Sequence, residues 1–268
     1  MSAFDIGYAS WELAAIAAVF LLAGMVKGGI GLGLPTISVA LLGLWLPVHE
    51  AAALIILPVI LTNVWQSFVG TAFRLVMRRL WSLMTALAIG TLIAALLIAE
   101  ADTALAAGLL GGMLIVYAAL GLTGARFSVP LRAEPGLSPL VGLTTGLITG
   151  ATAIFVIPSV PYLQSMDFLK GPTERLRARD ERMAKDALIQ SLGLTALVAT
   201  FGLALGLGVK GTLAPSVVLP GAMATLAAFA GMSAGAAVRN RLSLEVFRRW
   251  VLSGLLALGA LMVIRAVT

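Results

Sequence analysis

Lys27 is the residue in this chain best placed to do chemistry. It ends an apolar stretch and is followed by Gly28, Gly29, Gly31 and Gly33, then Pro35. A lysine at mid-bilayer costs about 2.5–3.5 kcal/mol on insertion scales, so an intramembrane ammonium is by default a functional feature. Two uses are open to it: pairing with an anion, or snorkelling to the headgroups from near the inner end of a short helix. The glycines let the backbone leave the helix, and Pro35 suits the first turn of a new one. The N–H groups exposed at such a helix start attract anions, and Thr36 and Ser38 add hydroxyl donors. About half the chain later the pattern returns in Gly146-Leu147-Ile148-Thr149-Gly150-Ala151-Thr152, followed by Pro158 and Pro161. Thr149 takes the place of Lys27 there, with Thr152 nearby. Gly-x-x-x-Gly also permits close helix packing, and the two uses are compatible.

Five further polar residues fall inside apolar segments: Thr62, Asn63, Gln66, Gln164 and Gln190. Asn63 and Gln66 are three apart and share a helix face. Each amide offers a donor to an oxyanion or an interhelical hydrogen bond, and sequence does not choose between them. Pro58 marks a kink, and Tyr162 is either a pocket wall or a packing aromatic. No carboxylate lies deep in an apolar segment, which argues against the buried acidic relay of a proton pump. The only histidine, His49, reads as a helix start at the outer surface. One histidine and no cysteines leave no His-rich metal cluster and no thiolate site. No serine–histidine pair stands out, so neither an enzyme nor a cofactor is expected.

The elements that must hold these residues are membrane helices. The chain of 268 residues is 60% hydrophobic and 11% charged, with mean hydropathy +1.05, against about a quarter charged in a soluble domain. Its pI near 10.3 does not point to nucleic acid, because the basic residues sit in short loops between apolar runs. Those runs are Trp11–Lys27, Ile30–Leu46, Ala51–Val69, Leu80–Ala99, Ala104–Leu122, Leu140–Ile157, Pro158–Leu169, Ala187–Gly208, Ala214–Ala237 and Val246–Val267. They lack the alternation of barrel strands and read as helices. Met1 to Trp11 has no basic residue, so no cleavable signal is expected. The four segments around the glycine breaks are each marginal for a full span, and each pair is either a re-entrant hairpin or two tilted crossings.

Both versions give one sidedness. With the N-terminus outside, 15 of the 18 Lys and Arg fall inside, at Arg74, Arg78, Arg79, Arg126, Arg132, Lys170 to Lys185, Arg239, Arg241, Arg248 and Arg249. Lys27, Lys210 and Arg265 are the exceptions. Asp5, Glu12, Glu50, Glu100 and Asp102 fall outside. The reverse orientation breaks the positive-inside rule. A glycine-broken hairpin plus three transmembrane helices then occurs twice, once in each direction, which predicts an all-α polytopic membrane protein built as an inverted repeat. The first repeat is 1–125, a cytoplasmic linker 126–139, and the second repeat 140–268, with a charged insertion at 170–186. Pro172 and the spacings Arg177/Glu181, Glu181/Lys185 and Arg182/Asp186 predict a solvated helix across that insertion.

The blocks Ala23–Thr36, Thr145–Thr152 with Pro158–Gln164, and Lys185–Leu194 stand in the order and spacing of a known family. In these blocks the chain resembles the sulfite exporter TauE/SafE family, also described as toluene-sulfonate uptake permeases. The resemblance spans nearly the whole chain, departing at Gly171–Met183, where a short connector is expected. It implies a bacterial plasma-membrane carrier of small sulfur-containing anions such as sulfite, sulfoacetate or other sulfonates. Substrate contacts are then expected from Lys27, Gly28, Gly29, Gly31, Gly33, Thr36, Asn63, Gln66, Thr149, Gly150, Thr152, Gln164 and Gln190. Export around a central site is the favoured mode, and both termini lie outside. The partners are the anion and the lipid bilayer, and a homo-oligomer is compatible with the sequence. An anion channel and a non-transporting accessory subunit are the alternatives.

Overall fold

The computed structural model describes residues 8–98, 103–124, 128–211, 213, 215–239 and 244–267. Asp5, Glu100, Asp102, Arg126 and Arg241, used in the orientation argument, lie outside the described residues. Within them ten α-helices and no strand are present: α1 (Ser10–Ile30), α2 (Leu34–Leu42), α3 (Val48–Phe68), α4 (Phe73–Ile98), α5 (Thr103–Thr123), α6 (Glu134–Thr152), α7 (Ser159–Ser165), α8 (Glu181–Val209), α9 (Val218–Arg239) and α10 (Leu244–Val267). Seven are long and apolar enough to cross a bilayer: α1, α3, α4, α5, α8, α9 and α10. The chain is an all-α polytopic membrane protein. Trp11, Trp65, Trp81 and Trp250 are exposed on its outer surface, as expected of aromatics at a lipid–water boundary.

The two glycine breaks do not each consist of two marginal segments. α1 is a full-length helix of 21 residues, because it runs on through Gly28 and Gly29 and stops only at Gly31. Gly31 and Gly33 have φ of 84° and 105°, the left-handed region where a side chain is disfavoured. Pro35 then opens the nine-residue α2, of which all but Leu41 is buried. The second break copies the first. Ala153 ends α6 at φ 59°, and its N–H donates to Thr149 O at 2.7 Å as that of Gly31 donates to Lys27 O at 2.7 Å.

Helix pairing is between the two parts of the chain. α1 packs on α9, α4 on α6 and α5 on α10, while α3 meets both α8 and α9 and α4 also meets α8. The tightest seams are glycine seams. A methyl group added at Gly24 would run into the backbone of Ala228, one at Gly28 into Met232, and one at Gly231 into Leu21. The α4–α6 seam repeats each clash, with Gly146 against Leu87, Gly150 against Thr91 and Gly90 against Leu143. One offset carries each α1 position onto α6, and a second carries each α4 position onto α9. At the α5–α10 crossing Gly111 and Gly259 each approach the other's carbonyl. Backbone this close leaves no room for a side chain, so Gly146→Leu is expected to cost about 1–3 kcal/mol or to prevent folding. Gly112→Leu, at a position with open space, is expected to leave the detergent melting temperature within a few degrees.

The charged insertion is helical only from Glu181 on, where Glu181/Lys185 and Arg182/Asp186 lie in the first turns of α8; the expected helix before it is absent. A single 3-10 turn at Glu174–Leu176 is followed by extended chain at Arg177, and α8 starts only after Asp180, whose side chain accepts from Met183 N at 2.7 Å. That N-cap satisfies an orphan donor of the first turn and fixes the helix start. Arg177 therefore pairs with Glu174 at 3.0 Å rather than with Glu181.

Candidate functional site

Lys27 does not snorkel. It sits in the last turn of α1 at 5% exposure, and its Nζ donates to Thr62 Oγ1 at 3.0 Å and Asn63 Oδ1 at 2.8 Å. Both acceptors are oriented by the backbone of α3. The Thr62 hydroxyl donates to Pro58 O at 2.7 Å, and Asn63 Nδ2 donates to Val59 O at 2.8 Å. The Thr62 proton and one Asn63 N–H are thus committed to the carbonyls of Pro58 and Val59, and lone pairs are what both residues turn toward the ammonium. An ammonium has three N–H donors, so one remains beyond these two bonds. Among the described residues no carboxylate forms an ion pair with Lys27. Across the same glycine break, at the start of α2, Thr36 Oγ1 and Ser38 Oγ are fully buried and have no hydrogen-bond partner. Buried polar groups are nearly always paired, so a buried cation and two orphan hydroxyls on the two sides of one glycine break mark it as polar.

The expected site residues divide. Lys27, Asn63 and Thr36 belong to this first break, with Gly31 and Gly33 forming its turn. Gly28 lies against α9, as Gly150 lies against α4, so both form helix seams. Gly29 is buried within α1. Thr149 donates back to Thr145 O at 2.7 Å and Thr152 to Ile148 O at 2.8 Å, each inside α6. Asn63 and Gln66 part company despite their spacing, because Gln66 Nε2 donates to Ile189 O on α8 at 3.2 Å. Gln190 is also committed: Oε1 accepts from Ala72 N at 2.9 Å and Nε2 donates to Ser67 O at 3.1 Å. It pins the α3–α4 turn to α8 together with Asp186, which accepts from Thr71 N and Oγ1 at 2.9 Å each. Gln164 is exposed, and Tyr162 hydrogen-bonds Ser138 at 2.7 Å as a packing aromatic.

A second buried charge was not foreseen. Arg79 on α4 and Glu134 at the start of α6 form a two-point ion pair, Nη2–Oε1 at 2.6 Å and Nε–Oε2 at 3.1 Å, with side chains 2% and 5% exposed. The remaining guanidinium protons reach the carbonyls of Lys170 at 2.7 Å, Leu176 at 3.3 Å and Asp167 at 3.2 Å. Phe168 covers the guanidinium at 5.2 Å from its ring centre. This arginine is fully partnered, and the pair fastens the 167–176 segment to the ends of α4 and α6. The available signal was Glu134 itself, the single acid in the 126–139 linker.

The site at the first break thus holds one lone cation, neutral donors and an unwound turn, within a bundle of membrane helices. That is equipment for holding a small anion without chemical change to it. No curated protein and no solved structure matches the chain. A family model does match, over residues 16–262. The chain belongs to the sulfite exporter TauE/SafE family of membrane transporters.

Proposed function

We propose that this transporter exports sulfite or related sulfonates across the bacterial plasma membrane by alternating access at the first glycine break. The observation that carries the reading is Lys27, a buried ammonium with only neutral acceptors, at the glycine break that leads into the orphan hydroxyls of Thr36 and Ser38. A buried charge left without a counter-charge is costly, and an arriving anion offsets that cost. Both termini face outside and the basic loops face inside. Residues 1–125 and 140–268 are the two copies of an inverted repeat, joined by 126–139, and 170–186 is a cytoplasmic insertion held by Arg79. The constant offsets between the α1–α9 and α4–α6 seams support the repeat.

The bodies that move are not the two sequence halves. Backbone-to-backbone seams join α1 to α9 and α4 to α6, so each body takes one helix from the opposite half. α1, α2, α3 and α9 form one body, and α4, α6, α7 and α8 the other. They meet where α3 faces α8. Sliding there would carry Lys27 and its acceptors as a unit past α8, and would have to break the hydrogen bonds of Gln66 and Gln190 across that contact.

The absence of cysteine from the chain makes this directly testable. A Cβ at Gly193 would lie 2.8 Å from Ser67 Oγ, close enough for a disulfide. Oxidised Ser67→Cys/Gly193→Cys is expected to lose sulfite flux in proteoliposomes and regain it with reductant. Gly108→Cys/Ala266→Cys, at the α5–α10 crossing where a Gly108 Cβ would lie 3.3 Å from that of Ala266, is expected to transport in both states. Full flux through the crosslinked α3–α8 pair would rule out motion at that interface. Absence of sulfite and sulfonate flux in the unmodified protein would remove the function.

A further inference from the structure

We infer that the site at Lys27 selects its anion by charge, taking a monoanion such as a sulfonate or hydrogensulfite over a dianion such as sulfate. This rests on the reading of Lys27 as the anion-holding residue. A buried site has to balance charge with what its own residues carry. Lys27 contributes a single positive charge, and its two recorded partners, Thr62 Oγ1 and Asn63 Oδ1, are neutral. The orphan hydroxyls of Thr36 and Ser38 are neutral as well.

Among the described residues no second charge is hydrogen-bonded to Lys27, Thr62 or Asn63. The three arginines of α10, which packs on α1 and α2, are exposed and engaged elsewhere: Arg248 with Gly121 O, Arg249 with Glu245 and Arg265 with Leu44 O at 3.3 Å. α2 has no ionisable residue, and α9 has none before Arg239 at its last position. On α1 the other charge is Glu12, fifteen residues from Lys27, and on α3 the acid is Glu50, thirteen residues from Asn63. At 1.5 Å per residue each is about 20 Å away along its helix. The buried pair Arg79–Glu134 is neutral in sum and fully engaged with the 167–176 segment. A monoanion on Lys27 therefore makes a neutral complex. A dianion leaves one uncompensated negative charge in a buried site, which is strongly disfavoured.

Charge balance also constrains the transport cycle. The loaded site crosses as a neutral complex, and the empty site crosses carrying one positive charge. An inside-negative potential draws the empty site inward, where it loads from the cytoplasm, so the potential drives export through the unloaded step. Anion-for-anion exchange, which uses only loaded crossings, is then indifferent to potential.

The test uses the unmodified protein in proteoliposomes with labelled sulfite as the transported probe. Methanesulfonate and sulfate, similar tetrahedral oxyanions of different charge, serve as competitors at one neutral pH. Methanesulfonate is expected to inhibit at a concentration roughly tenfold or more below that of sulfate. Sulfite counterflow is expected to run at one rate with and without an imposed inside-negative potential, while net efflux accelerates. Equal inhibition by sulfate, or exchange that changes with potential, would overturn the charge selection while leaving a working sulfite carrier. Absence of any sulfite movement would overturn both the selection and the transport reading.

Discussion

Replacing Lys27 with glutamine is expected to abolish transport and to stabilise the protein at the same time. The loss follows from removing the single charge the anion can pair with. Truncating one partner of a buried hydrogen-bonded charge pair costs about 2–5 kcal/mol, so flux at sub-saturating sulfite should fall by roughly thirtyfold or more. The gain in stability follows from the other side of the balance. In the empty protein Lys27 is a cation held by Thr62 and Asn63 alone, and a buried charge without a counter-charge is unfavourable. A glutamine amide can still donate toward Asn63 Oδ1 and carries no charge. Transport and melting temperature in detergent are the two readings. A fall in both would mean that Lys27 supports the fold rather than the anion. Unchanged flux would place the anion elsewhere.

Breaking the pair between Arg79 and Glu134 has the largest expected effect on stability. Glu134→Gln leaves the Arg79 guanidinium buried with its backbone acceptors and no carboxylate. Removal of one member of a buried pair costs about 3–5 kcal/mol, a large part of the stability of an ordinary domain. The 167–176 segment should lose its anchor at the same time, since Arg79 reaches the carbonyls of Asp167, Lys170 and Leu176. A melting temperature lowered by many degrees, with faster proteolysis in 167–180, is the expected result. Arg79→Leu combined with Glu134→Leu should recover only part of the loss, because the three carbonyls still lack their donor. A melting temperature unmoved by Glu134→Gln would mean that the pair contributes little.

These two charges also divide what was readable in advance from what was not. Lys27 was legible because its signal is local: an ammonium inside an apolar run, next to residues that cannot hold a helix. Arg79 and Glu134 are 55 positions apart, and each ends an apolar segment where a solvated charge is ordinary. Nothing short of the α4–α6 packing could pair them. The amides show the same limit. Asn63 and Gln66 share a face by spacing, yet one meets α1 and the other α8, because a helix side wide enough for both faces two neighbours.

The sequence by itself determined the class of protein, the positions of its helices, the basic loops and the two breaks. Each of these is an energy of a residue or a short run against lipid, water or its own backbone. Left-handed geometry at Gly31 and Gly33 is of that kind. Where Gly28 and Gly150 point was decided only by tertiary structure. The same lack of a side chain that loosens a helix lets another helix come to backbone contact, and which use prevails depends on whether a partner is there. α9 lies against Gly28, so α1 stays helical through it, and the break moves on to Gly31, where no neighbour fills the space.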